Sequence, residues 1–597
     1  MTTSFIHPAL IMIFGAVFLP FVKGPFRKPY LFIVPLLTLL SVVYLSWHPG
    51  VYGVVNFMGG DWTLTFGRVD RLSMVFGFIM ALMAVIGTIY GLHVEDNWQH
   101  IASWFYVAGS LGVIYCGDYL VLFLFWEMMA FASTFLIWFN KDKGALAAGY
   151  RYLLVHTFGG VVLLLGFVLR YQATGDLSFV LLSEENAQLY TWLIMAGLML
   201  NAAVPPLHSW LPDAYSKASI TGAVFMCAFT TKTAIYTLAR GFAGFDILIV
   251  LGVAMAIYGI IYAINENDIR RLLGWEIISQ VGYMVTGVGI GTALAINGTC
   301  AHAFAHILYK GLLFMAAGAI IHATGKSKFT DLGGLYKKMP ITLFFMVIGG
   351  ISVSAFPFFS GFVTKSMIIA ASFEAHLLIP AFLLTMVSVG TFLVAGLRLP
   401  YLIFFGDSRC SEETWKKAED PPWNMQLAMI TAGFLCLLVG SYLPFLYNML
   451  PYPNVAFHPY GGYHLSETLQ LLAFTAVAFV FLKKKIGARP TISLDLDWFY
   501  RKGGQIFLWI ATTPVQWLDN CWGAAYRVVG LYSLMTTARF WSWFDWHGID
   551  GVVDGSARCV RAIGRRITIT MQRGQIQQTI YISVTFAAIL LASYVWL

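Results

Sequence analysis

The sequence predicts an all-α polytopic membrane protein, and three observations carry that prediction. Of the 597 residues, 59% are hydrophobic and only 11% are charged, where a soluble domain carries about 25% charge. The apolar residues fall in long unbroken runs, matching the roughly 20 residues a helix needs to cross a bilayer, not in the alternating segments of about ten residues found in β-barrels. The basic residues sit in short loops, where they set topology, so the formal net charge of +8 does not point to nucleic acid.

Taken in order, the apolar runs predict sixteen spans, at 5–22, 29–47, 72–93, 101–117, 119–139, 150–171, 190–204, 219–240, 246–264, 275–296, 298–323, 340–362, 376–402, 424–447, 463–483 and 576–597. The run from Phe5 reads as the first span, without the small-residue cleavage site of a secretory signal. Lys23, Arg27 and Lys28 follow span one, Lys141, Lys143 and Arg151 follow span five, and Arg270 and Arg271 follow span nine. Lys326, Lys328, Lys337 and Lys338 follow span eleven, and Lys483, Lys484 and Lys485 follow span fifteen. These loops share one side if the spans alternate, which places the N-terminus outside and the basic loops in the cytoplasm. Asp70 and Arg71, before the third span, read as a loop or interface pair. Between spans fifteen and sixteen, Gln505 to Trp546 mixes Trp, Phe and Leu with Gln, Asp and Arg. That pattern predicts a helix along the membrane surface, about 60 Å long if about 40 residues are helical.

Two spans look broken. The seventh ends in Val204-Pro205-Pro206, and the twelfth contains Phe356 to Phe362, FPFFSGF. Proline inside a span frees backbone carbonyls, and paired interruptions in two halves point to inverted repeats around a transport path. The two breaks lie five spans apart, which predicts two five-span repeats, four to eight and nine to thirteen. The domains expected are therefore 1–100, N-terminal helices; 101–240, first repeat; 246–402, second repeat; 424–483, C-terminal core helices; 503–575, lateral amphipathic segment; and 576–597, a final span.

Ionisable residues inside spans are costly and mark ion or proton paths. His302, His306 and Lys310 recur every four residues in GTCAHAFAHILYKGLLFMAAGAIIHA, which puts them on one helical face. Histidine both accepts and donates a proton near neutrality; the plainer role for this face is helix–helix hydrogen bonding. Glu127 lies alone in LFLFWEMMAFASTFLIWF, where desolvation disfavours its charge and suits a group that gains and loses a proton. Lys232 is similarly placed in FTTKTAIYTLAR, and Lys365 follows the broken twelfth span, as a proton carrier or a snorkelling span end. His156 carries protons or only bonds a carbonyl, His208 lines or caps the seventh break, and Glu276 is a gate or a cap. The seven cysteines are scattered without CxxC or Cys/His metal spacing, so no metal site, iron–sulfur cluster or other cofactor is expected.

These motifs resemble the antiporter-like subunits of respiratory complex I, Mrp-type cation/proton antiporters and membrane-bound hydrogenases. The resemblance rests on WEMMAFASTFLI around Glu127, PPLHSWLPDA at 205–214, TTKTAIYTLAR around Lys232, NDIRRLLGWEIISQVGYM at 267–284, HAFAHILYKGLLFMAAG at 302–318 and PFFSGFVTK ending at Lys365. GIDGVVDG and MQRGQIQQ resemble the end of the distal members, which carry a lateral helix and a final span. It implies about fourteen core helices, two inverted half-channels and a hydrated axis through Glu127, Lys232, His302, His306, Lys310 and Lys365. Two positions depart from the pattern: Asn201 stands where the family places a lysine, and Ser366 stands where related chains often have an acid. Glu127 is then expected to pair with Lys232, directly or through water, unless only the second half conducts. The implied function is proton or sodium translocation within a multi-subunit complex of a bacterial or archaeal cytoplasmic membrane, with homologous membrane subunits and a redox or other coupling module as partners. The alternatives are membership of a cation/proton exchanger and an energy-coupling membrane role in a vectorial inorganic-carbon-uptake system.

Overall fold

The computed structural model describes residues 5–57, 59, 62–490, 494–571 and 574–596. The chain divides into two compact units, Met1–Leu496 and Asp497–Leu597.

The first unit is helical apart from one hairpin. It runs α1 (Pro8–Phe18), α2 (Arg27–Ser46), β1 (Gly50–Phe57), β2 (Trp62–Val69), α3 (Arg71–Gly91), α4 (Asn97–Tyr115), α5 (Tyr119–Trp138), α6 (Lys143–Thr174), α7 (Leu189–Asn201), α8 (Trp210–Lys217), α9 (Ile220–Met226) and α10 (Thr230–Gly241). It continues through α11 (Asp246–Asn265), α12 (Ile269–Ile290), α13 (Ala293–Thr324), α14 (Pro340–Val353), α15 (Ser360–Glu374), α16 (Leu378–Phe405), α17 (Trp423–Ser441) and α18 (Gly462–Leu482). Among the described residues ten helices are long and apolar enough to cross a membrane, and Pro8–Phe21, Leu189–Asn201 and Pro340–Val353 are shorter apolar helices.

Several boundaries differ from expectation for local reasons. The tenth span begins at Ile269, not 275, because Asp268 caps it by accepting from Arg271 N. Arg270 is thereby inside α12, donating to the carbonyls of Ser216 and Ala218 at 2.7 Å. The eighth span, expected whole, is split into α9 and α10. The stretch between spans two and three forms the β1–β2 hairpin, whose Thr65 N donates to Asp118 Oδ2 at 2.6 Å at the start of α5. Asp70 does not pair with Arg71: it caps α3 and binds Arg240 at 2.7 Å and Arg68 at 3.3 Å, while Arg71 donates to backbone carbonyls at Asn448 and Leu450.

Two stretches share one plan. α6 and α13 each have 32 residues, begin at 143 and 293, and end on Gly175 and Gly325 in the left-handed region, φ 66° and 68°. Glycine tolerates that conformation without a Cβ penalty and stops the helix there. Asp118 caps α5 and bridges to Ser178; Asp268 caps α12 and bridges to Lys328.

α13 lies at the centre, buried from Leu294 to Ile320. α11 and α12 approach backbone to backbone beside it. A Cβ on Gly282 would lie 2.6 Å from Ala256 N, and one on Gly259 would lie 2.5 Å from Ser279 N. Small residues give membrane helices this close contact, where packing replaces the hydrophobic drive.

The second unit is a long helical arm, α19, at 497–571, followed by α20 (Ile576–Trp596). The arm is helical throughout, with π turns at Ala511–Val515, Tyr526–Tyr532 and Asp545–Ile549. At 1.5 Å per residue it measures about 110 Å, nearly twice the expected length. Pro514 sits inside a π turn, whose wider ring absorbs the missing donor, and the polar stretch past Trp546 continues as an amphipathic helix.

Gly282→Val should therefore cost about 1–3 kcal/mol through overpacking and lower the thermal unfolding temperature of the detergent-solubilised protein. Gly462→Ala, where an added Cβ meets nothing within 4 Å, should leave it unchanged.

Candidate functional site

The site is built on α13. His302, His306 and Lys310 lie on one face and are fully buried. Lys310 Nζ donates to Glu276 Oε2 on α12 at 2.6 Å, with both side chains at 0% exposure. Glu276 is thus neither a terminal cap nor remote: it sits two turns inside α12, as the counter-ion of the stripe. Thr364 Oγ1 donates to Ser360 O at 3.2 Å, so it accepts from His302 Nδ1–H at 2.9 Å. That leaves His302 Nε2 to accept from Tyr309 O–H at 3.4 Å, a neutral ring in one tautomer assigned from its neighbours. Neither ring nitrogen of His306 has a hydrogen-bond partner among the described residues, and its ring centroid is 5.2 Å from Tyr309 and 6.2 Å from His302.

Lys365 closes this row from α15. The break between α14 and α15 holds Ala355 and Phe358 at φ 59° and 70°, a conformation rare for residues with a Cβ and typical of functional breaks. Lys365 was expected just past the twelfth span, but it lies inside the second half-helix at 1% exposure, which removes the snorkelling alternative. Its Nζ has no hydrogen-bond partner among the described residues and stands 5.1 Å from the centre of the Tyr283 ring.

The first half is arranged differently. The break after α7 holds Ala203 at φ 59° ahead of Pro205 and Pro206. Asn201, at the end of α7, is buried with neither amide atom partnered among the described residues. The break between α9 and α10 frees the Cys227 carbonyl, which accepts from Lys232 Nζ at 2.6 Å. Glu127 is only half-buried; its Oε1 lacks a partner among the described residues and occupies the space a Cβ on Gly160 would enter. The expected direct Glu127–Lys232 pair is therefore not formed: the lysine is satisfied by backbone and the carboxyl turns toward α6. His156 Nδ1 lies 3.0 Å from its own helix's Tyr152 carbonyl, the plainer of its two roles.

His208 has a partner the sequence did not signal. Asp495 Oδ1 approaches its Nε2 at 3.3 Å and accepts from Tyr258 O–H at 2.6 Å, while Tyr262 O–H donates to Leu494 O at 2.7 Å. Burial pushes the Asp495 carboxyl up, but His208, Tyr258 and Ser209 outweigh it and hold the group at about 2, below the ordinary carboxylate value. No spacing rule connects positions so far apart in the chain.

Lys232, Lys310, His302 and Lys365 all act electrostatically on His306. One buried row of exchangeable protons thus runs from Lys365 past His302, Tyr309 and His306 to Lys310 and Glu276, with Lys232 at its flank. Among the described residues no group of three or more His, Cys, Asp or Glu could hold a metal ion.

Comparison with known proteins agrees with this layout. The chain is 28% identical over 504 residues to the largest-matching component of the Na(+)/H(+) antiporter of Alkalihalophilus pseudofirmus, over 72% of this chain and 62% of that protein. It is 27% identical over 442 residues to hydrogenase-4 component B of Escherichia coli, over 66% of this chain and 65% of that protein. The chain thus spans less than two thirds of the length of both relatives. In three dimensions it resembles a chain of the Mrp complex from Dietzia sp., with TM-score 0.68, 20% identity and coverage of 78% of this chain and 98% of that one. Residues 116–393, which hold every ionisable residue of the buried row, match the family described as NADH:quinone oxidoreductase/Mrp antiporter, TM. The chain is a multi-pass membrane protein of the NADH:quinone oxidoreductase/Mrp antiporter family.

Proposed function

We propose that this chain translocates protons as one antiporter-like member of a multi-subunit membrane complex, along the row on α13. The observation that carries this reading is the Lys310–Glu276 ion pair, fully buried beside His306, whose ring nitrogens are unpartnered among the described residues. At an effective dielectric near 20, two unit charges at about 4 Å interact by about 4 kcal/mol. Opening or closing that pair changes the proton affinity of Lys310 by orders of magnitude. With the pair closed, Glu276 holds the proton on Lys310; with it open, the proton passes to His306, then through Tyr309 and His302 toward Lys365. The free energy for opening comes from a partner, a redox or other coupling module.

The membrane orientation follows the basic loops: N-terminus outside, with the loops after α13 and α18 on the cytoplasmic side of a bacterial or archaeal cytoplasmic membrane. The repeats proposed are 101–240 and 246–402, supported by the matched lengths and caps of α6 and α13. The arm at 497–571, with Trp517, Trp522 and Trp541 exposed, suits a contact with neighbouring membrane subunits.

Proton pumping by inside-out vesicles carrying the complex tests the row. Lys310→Met should reduce it to under about a tenth of wild type with the complex still assembled on a native gel. Glu276→Gln should do the same and also lower assembly, because removing one partner of a buried pair costs about 3–5 kcal/mol. The double variant Lys310→Met/Glu276→Gln should assemble better than Glu276→Gln alone yet still not pump; a pumping double variant would sink the reading.

Glu127→Gln should retain at least half of wild-type pumping, since Glu127 is half-buried and not paired with Lys232. A tenfold loss in an assembled complex would instead make the first half an obligatory path.

A further inference from the structure

We propose that Glu467, on α18 outside both repeats, is the carboxylate that receives the proton leaving Lys365, in place of the acid absent at Ser366. The inference rests on the function proposed above and names the exit of that same row.

A cavity of about 370 Å³ lies between α15, α16 and α18, lined by Lys365, Ser366 and Glu374 from α15, by His464 and Glu467 from α18, and by Ser354 from the twelfth-span break. Lys365 is 1% exposed, and its Nζ has no hydrogen-bond partner among the described residues although it borders this space. An unsatisfied buried ammonium beside a cavity of water-holding size favours water within it. The carboxylate that would neutralise the ammonium is not adjacent in sequence, because position 366 is a serine whose hydroxyl donates to Phe362 O at 2.7 Å.

Depth along the helices orders the remaining groups. Lys365 is nine residues from the end of α15 at Glu374, about 14 Å at 1.5 Å per residue. Glu467 is five residues from the start of α18 at Gly462, about 8 Å, and His464 is two residues from it, about 3 Å. In the proposed orientation both helix ends are external. Glu467 and His464 are half-buried and Glu374 is exposed. The groups thus step outward from a sealed ammonium through a half-buried carboxylate to the surface. The Lys365 ammonium gives one proton to cavity water and becomes a neutral amine. The Glu467 carboxylate takes one proton from that water and becomes a carboxylic acid, which releases it to the outer side past His464 and Glu374. No electron moves and no other reactant is needed.

The experiment is proton pumping by inside-out vesicles carrying the complete complex, with assembly read on a native gel. Four samples are compared: wild type, Glu467→Gln, Glu467→Asp and Ser366→Asp/Glu467→Gln. Glu467→Gln should lower the initial rate at least fivefold at normal assembly. Glu467→Asp should keep at least half the rate, and Ser366→Asp should restore at least half of what Glu467→Gln removes. Wild-type rates in Glu467→Gln, or no restoration by Ser366→Asp in an assembled complex, would overturn the role of Glu467. If wild type pumps and Lys310→Met does not, that failure leaves the function itself standing. A wild-type complex that moves no protons would overturn both.

Discussion

The buried ion pair between Lys310 and Glu276 is the constraint the rest of the molecule accommodates. Taking two charges out of water costs several kcal/mol per ion, and attraction between them offsets this only with close geometry. The pair meets that condition at 2.6 Å between two fully buried side chains. Such geometry requires α12 and α13 to be fixed relative to each other. The close glycine contacts of α11 with α12 and the burial of α13 along nearly its whole length supply that rigidity. Packing and polar chemistry are therefore linked: the helices that touch backbone to backbone are those that position the charges.

The three helix breaks serve the same site from another direction. A continuous helix uses its own carbonyls, so a membrane interior offers little backbone polarity. Interrupting α9–α10 releases the Cys227 carbonyl to Lys232, and interrupting α14–α15 brings Thr364 and Lys365 against His302 and Tyr283. Ala203 and Ala355 hold the same unusual backbone conformation in two of the breaks, each beside proline. Each break gives the interior polar groups that a regular span would have withheld.

Much of this was legible in the sequence, for identifiable reasons. Composition and run length determine that the chain lies in a bilayer, and the four-residue spacing of His302, His306 and Lys310 makes one face under any helical geometry. Proline marks two breaks, but the third, between α9 and α10, holds none: Cys227–Phe229 interrupts a run that reads as uniform. Tertiary partners were the least legible part. Glu276 is close to Arg270 and Arg271 in sequence, so it looked like a helix-end residue until α12 proved to begin at Ile269. Asp495 reaches His208 from a distant part of the chain, and the β1–β2 hairpin sits in a stretch short enough to pass for a connection. The arm outran its expected length because π turns let a helix pass a proline that normally ends it.

The two halves differ in more than the exchange of a lysine for Asn201. In the second half every ionisable group of the row is sealed from solvent, and each meets a defined neighbour or another member of the row. In the first, Asn201 leaves both amide atoms unmet among the described residues, Lys232 is held by backbone, and Glu127 is half-buried against Gly160. Yet Lys232 still acts electrostatically on His306. Protonating Lys232 therefore disfavours a proton on His306 whether or not any proton arrives through the first half. A lysine in this position tunes the row by charge alone, which explains how the first half can lose its lysine partner at 201 while keeping the one at 232.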